Sequence, residues 1–181
     1  VFSGGSGMSS DIISGINWAI AHRAEYNIVA INMSLGSGGY TAKCTNDVFE
    51  ASIQSAKAAG ILSIVASGNS SYTDRISSPA CAPSAVSVGA VYDSSGESGF
   101  SSCGDSVTTS GKVTCFSNSA SFLSLLAPGA KIAAAGVTMS GTSQAAPHVA
   151  GAVAVLRGAF PSESVDQTVS RMTSNGVSTT D

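Results

Sequence analysis

Charge is scarce in this sequence. Only 10% of its 181 residues are Asp, Glu, Lys or Arg, against roughly a quarter in an ordinary globular chain. With 8 basic and 11 acidic residues there is no surplus to form the basic face that a nucleic acid requires. Aromatics are few, at 6%. Long apolar runs are missing too: the longest, Val149 to Leu156, contains a glycine and falls far short of the ~20 residues that span a bilayer. There is no C-x-x-C pair, which leaves zinc and thioredoxin chemistry without support. What is present is a 43% apolar fraction made mostly of Ala and Val, too apolar for a disordered chain.

The four cysteines, Cys44, Cys81, Cys103 and Cys115, are an even number in a Ser/Thr/Gly-rich chain poor in Lys. That predicts two disulfides and an oxidising compartment. The first residue is Val1, and Val1 to Gly5 reads as a strand end and a turn, so an N-terminal region is expected to be missing.

Hydrophobic spacing predicts a helix capped by Asp11, with Ile12, Ile13, Ile16, Ala19 and Ile20 on one face. Ile28 to Gly36 reads as a fully buried parallel strand, residues 37–45 as a loop, and Asn46 to Ala59 as a helix stopped by Gly60. Ile61 to Ala66 and Ala85 to Val91 are further buried strands, with a polar loop over residues 70–80 between them. Residues 92–115 are a Ser/Gly-rich loop. Short strands are expected at Phe122 to Leu126 and Ile132 to Ala135, then a long helix opening at Gly141-Thr142-Ser143 and a last one from Ser162 to about Met172. Alternating helices and buried strands predict an α/β fold with a mostly parallel sheet covered on both faces. In such sheets ligands bind at the carboxyl ends of strands, here Ser34-Leu35-Gly36 and Ser67-Gly68-Asn69.

The chemistry is concentrated in Gly141-Thr142-Ser143-Gln144-Ala145-Ala146-Pro147-His148. A serine at a helix N-terminus sits beside free backbone N–H groups and the positive end of the helix dipole, which suits a nucleophile and an oxyanion. A plain N-cap serine is the competing reading of the same residues. Asn69 follows a buried strand, where its amide can donate to an oxyanion or simply complete a turn.

Taken together these segments resemble the subtilisin-like serine proteases, the subtilases. Gly141 to Gly151 is similar to the family's nucleophile segment, which implies Ser143 as nucleophile, and Ala66 to Asn69 to its oxyanion segment, which implies Asn69 as side-chain donor. Ile31 to Gly36 resembles the strand that pairs with bound peptide, and Gly5, Ser6 and Gly7 the opposing edge strand. Ser87 to Val91 and Ala127-Pro128-Gly129 match further framework segments, and the loop from Asn69 to Pro79 is most similar to the proteinase K-like branch.

The resemblance implies a three-layer α/β/α domain truncated at both ends, with residues 1–181 forming the C-terminal two-thirds of one catalytic domain. It implies a secreted endopeptidase acting on polypeptides, monomeric when intact, with a pro-region as a candidate inhibitor and no nucleic-acid or membrane partner. The family's Asp and His lie upstream of the segment with which this chain begins. Neither histidine replaces them: His148 stands five residues after Ser143, about 500° around the helix, and His22 is expected on a solvated face. The chain as it stands is therefore expected to be inactive. No metal or cofactor is expected, because Ser124 occupies the position of an acidic calcium ligand; calcium could enter only through the missing N-terminal part.

The resemblance further implies a primary specificity pocket lined by Ala66, Ser67 and Gly68 on one side and Leu35 and Gly36 on the other, with Ser77 near its base and an apolar or broad preference. Asp74 and Asp93 are the acids near enough in sequence to disturb that preference, and Leu35 and Ile12 are expected to shape a further apolar pocket. The favoured cysteine pairing is Cys44 with Cys81 and Cys103 with Cys115. Gln144 stands where many subtilisins carry Met, so better resistance to peroxide is expected. Two alternatives remain at this level. One is a catalytically inactive subtilase-like domain that binds extended peptide by strand addition. The other is an α/β-hydrolase, disfavoured because the acid and then the His must follow the serine, whereas His148 here precedes Asp166.

Overall fold

The computed structural model describes residues 7–179. Strands β1 (Ala30–Met33), β3 (Leu62–Ala66), β5 (Val86–Val91) and β6 (Leu125–Pro128) form a parallel sheet in the order β1-β3-β5-β6. Helices α1 (Ser9–Ala21) and α3 (Glu50–Ala58) cover one face, and α4 (Thr142–Ala159) covers the other with α5 (Val165–Asn175) against it. A four-residue helix α2 (Arg23–Tyr26) follows α1. This is the three-layer α/β/α architecture.

Side chains alternate across a strand, and β3 shows why a continuous apolar run can satisfy both faces. Leu62, Ile64 and Ala66 join Ala145, Ala146, Val149 and Val153 of α4 in one core. Val65 joins Ile12 and Ile16 of α1 and Ile53 of α3 in the other. Each fully buried Ile or Val contributes about 1.5–3 kcal/mol.

Several elements differ from their sequence reading. α1 begins before Asp11, which lies in its first turn where a carboxylate faces the positive helix end, and Met8 occupies the cap position without a side-chain bond. Among the described residues β1 is the outermost strand of the sheet, with Asn32 exposed and Ile31 half-buried. Residues expected as loops form β2 (Ser37–Tyr40) and β4 (Ile76–Ser78), paired antiparallel. The helix expected from Asn46 starts at Glu50, leaving Val48 exposed while Phe49 stays buried. The strand expected at Phe122 begins at Leu125. Ile132–Ala134 (β7) is half of a hairpin with Val137–Met139 (β8). α5 is capped by Ser164 rather than Ser162: Ser164 Oγ accepts from Gln167 N–H (3.2 Å) and Gln167 Oε1 from Ser164 N–H (2.7 Å). His22 is half-buried, its ring stacked 4.3 Å from that of Trp18. The disulfides join Cys44 to Cys81 and Cys103 to Cys115.

Candidate active site

Helix α4 starts at the carboxyl end of the sheet, and its first turn assembles the site. Gly141, the cap residue, has φ +152°, a backbone conformation that side chains resist, and a Cβ there would lie 3.0 Å from Gln144 Oε1. Thr142 and Ser143 follow as the first two helical residues, so the Ser143 N–H has no intrahelical acceptor.

Asn69, from the turn after β3, meets this helix end. Its Oδ1 accepts from Thr142 N–H (2.8 Å) and from Thr142 Oγ1 (3.0 Å). Two donors on the oxygen fix which way the amide faces and leave Nδ2 free to donate. Thr142 Oγ1 in turn accepts from Gly68 N–H (3.1 Å), and Thr142 is wholly buried.

The serine is anchored from its other side. Pro147 sits inside α4 and has no N–H to donate four residues back, which releases the Ser143 carbonyl. Ser34 Oγ fills that gap, donating to Ser143 O at 2.7 Å while accepting from Asn32 Nδ2 at 3.0 Å. The proline thus ties β1 to the helix carrying the serine.

Between these anchors lies a cleft of about 290 Å³. Ser34, Leu35 and Gly36 line one side, Ala66, Gly68 and Asn69 the other, with Ser77 also in the wall and Thr142 and Ser143 at the helix end. The side chain of Ser67 does not reach it: Ser67 is buried and its Oγ donates to Asn118 O (2.8 Å). Gly7 is exposed ahead of α1 and does not line the cleft, whereas Gly5 and Ser6 lie outside the described residues. Asp74 pairs with Arg75 at 2.7 Å, Asp93 is exposed in its loop, and neither lines the cleft. Ile12 is core rather than cleft wall.

Asn118 escapes sequence reading altogether. It is wholly buried in a Ser-rich loop, and its amide is fully engaged. Oδ1 accepts from Ser70 N–H (2.8 Å) and Tyr72 N–H (3.2 Å), while Nδ2 donates to Ser67 O (3.2 Å) and Ser77 Oγ (3.4 Å). Its backbone N–H adds a bond to Gly68 O (2.9 Å). With the bond from Ser67 Oγ to Asn118 O, six contacts therefore hold the segment that presents Asn69. Gly68 is compressed inside this turn at φ +108°, and a Cβ there would meet Asn118 Nδ2 at 2.2 Å and Ser77 Oγ at 2.4 Å.

Among the described residues no imidazole or carboxylate is hydrogen-bonded to the Ser143 hydroxyl. His148 Nδ1 donates to Gln144 O within the helix (2.8 Å). Cys44, Asp47 and Cys81 cluster, but both sulfurs are in a disulfide and the Asp47 carboxylate accepts from Ser78 Oγ and Phe49 N–H, so the group has no ligand set for a metal. Ser124 pairs with Ser87: Ser87 N–H donates to Ser124 Oγ (3.2 Å) and Ser124 N–H to Ser87 Oγ (2.9 Å). Elsewhere Asp105 is nearly buried. Burial alone would raise its carboxyl, but hydrogen bonds from Lys112 Nζ, Tyr92 Oη (2.8 Å) and Cys115 N–H (2.9 Å) outweigh that and hold it below its ordinary value.

A sequence model of the Subtilase family matches residues 1–179. Alkaline protease 1 of Aspergillus clavatus is 39% identical over 168 residues, covering 87% of this chain and 36% of that protein. The cuticle-degrading serine protease of Arthrobotrys oligospora is 33% identical over 184 residues, covering 97% of this chain and 39% of that protein. A crystal structure of a cold adapted subtilisin-like serine proteinase superposes with a TM-score of 0.74 at 32% identity, over 94% of this chain and 56% of that one. The chain spans little more than a third of the length of these two curated relatives.

Proposed function

The chain belongs to the subtilase family, and on that premise we propose that it is the nucleophile-bearing part of a serine endopeptidase. Ser143 Oγ attacks a peptide carbonyl bound in the cleft. The oxyanion accepts from Asn69 Nδ2 and the Ser143 N–H. Collapse releases the amine with a proton and leaves an acyl-enzyme, which water hydrolyses. The base that takes the Ser143 proton, and the acid that orients that base, come from sequence outside this chain. In this reading the chain forms the later two-thirds of a catalytic domain and the 181 residues alone do not hydrolyse peptides. The cleft between Ser34–Gly36 and Ala66–Asn69 takes the acyl side of the substrate. Ser77 brings no charge to that cleft, which favours uncharged side chains. The substrates are polypeptides, a pro-region is a candidate inhibitor, and the intact protein is a secreted monomer. No cofactor is required, and the Ser124 position offers no carboxylate to calcium.

The observation that carries this reading is the pair of hydrogen bonds from Thr142 to Asn69 Oδ1, because it leaves Nδ2 as the donor beside Ser143. The test uses the protein expressed from its complete coding sequence. N69A is expected to lower kcat for a peptide amide about 10²–10³-fold with KM nearly unchanged. A loss below threefold would remove Asn69 from the mechanism, and an S143A protein that retains hydrolysis would remove the nucleophile. If the complete protein binds peptides but never cleaves them, the inactive peptide-binding reading takes over.

A further inference from the structure

A second cavity, of about 450 Å³, shares only Ser143 with the cleft. Its wall is the β7–β8 hairpin, through Ile132, Ala133, Val137 and Met139, facing Gln144 and Pro147 of α4. Met139 is 55% exposed, and its Sδ lies 4.0 Å from Gln144 Nε2. The other three methionines differ from it. Met33 is buried and Met172 packs against the α4 core. Met8 is exposed but lies ahead of α1 and lines neither cavity. Met139 is thus the one sulfur that both meets solvent and borders the candidate nucleophile.

We propose that Met139 is an oxidative modification site through which hydrogen peroxide changes this cavity. The chemistry stands on its own; only its effect on turnover rests on the peptidase reading. The thioether attacks one peroxide oxygen, the O–O bond breaks and an S–O bond forms. Sulfur loses two electrons, the peroxide is reduced, and water leaves. The sulfoxide puts a strong hydrogen-bond acceptor into an apolar wall, within reach of Gln144 Nε2. The other end of that amide, Oε1, lies over Gly141. A Gln144 drawn toward Met139 therefore moves away from the Gly141–Asn69 side of the site. On this proposal the resistance to peroxide expected from Gln144 is offset, because the sulfur missing at position 144 is supplied from position 139, against the same side chain.

The test treats the complete protein with hydrogen peroxide and maps sulfoxide at each methionine by peptide mass spectrometry. In parallel it follows hydrolysis of peptides carrying an apolar residue on the amine side of the cleaved bond, and labelling of Ser143 by a sulfonyl fluoride. The expected result is that Met139 oxidises at least about tenfold faster than Met33. KM for those peptides rises at least about threefold in step with Met139 sulfoxide, while Ser143 labelling changes less than twofold. M139L keeps its own untreated KM through the treatment, and M8L shows the same rise as the parent. Met139 oxidising no faster than Met33, or M139L showing the parent's rise, overturns the proposal. If the untreated protein neither cleaves peptides nor labels at Ser143, the peptidase reading fails instead, and the sulfoxide map alone decides the site.

Discussion

Two walls flank Ser143, and they are built on opposite principles. The wall from Ser67 to Ser78 is pinned from behind by a wholly buried asparagine whose amide bonds to Ser67, Ser70, Tyr72 and Ser77. The wall from Ile132 to Met139 is a hairpin of three register pairs whose residues 133–139 are all exposed. The first carries Asn69, a donor whose direction decides what it can stabilise. The second offers apolar surface, which works by area and needs no such aim. Buried polar order is concentrated where direction matters.

The sharpest way to break that comparison is N118A. It strands the Ser70 and Tyr72 N–H groups, each worth about 1–3 kcal/mol when left without a partner, while the Ser67 carbonyl keeps the Ser77 N–H at 2.9 Å. A destabilisation of about 4 kcal/mol is expected by denaturant titration, and a value near 0.5 would erase the distinction between the walls. Next is G68A, which forces a Cβ into Asn118 and Ser77 at a positive φ. A cost of about 3 kcal/mol is expected by the same titration.

A third region sharpens the contrast by adding charge. Asp105 organises the 92–115 loop much as Asn118 organises the cleft wall, but it titrates. Its carboxyl is held below the ordinary value in the folded chain, so the stability it contributes is complete above about pH 4 and is lost as pH falls through the folded value. Thermal melts are expected to weaken on acidification below about pH 4, and D105N is expected to flatten that slope. An unchanged slope would mean that the loop does not sense its carboxylate. The smallest effect is expected on the hairpin, where V137T changes stability by less than about 0.5 kcal/mol. A larger loss would show that this wall is as constrained as the other.

Much of this was legible in the sequence. β3, β5 and α4 are long enough, and apolar on the right period, to announce themselves, and Ser143 and Asn69 stand at their ends. β2 and β4 were hidden because Ser-Gly-Gly-Tyr and Ile-Ser-Ser are too short to show a period and pair only with each other. Asn118 gave no signal, since an asparagine among serines reads as loop until partners some 41 to 51 residues away surround it. Met139 reads as an ordinary strand residue until the hairpin folds it against Gln144.

The bond from Ser34 to the carbonyl released by Pro147 spans 109 positions of chain, and those joining Thr142 to Asn69 and Gly68 span 73 and 74. Contacts so distant in sequence close only against the entropy of large loops. The nucleophile and its donor therefore acquire their geometry only once segments far apart in the chain have come together. A half-made chain carries the serine and the asparagine but not their alignment, so in the proposed function reactivity is delayed until the domain that must survive it is complete.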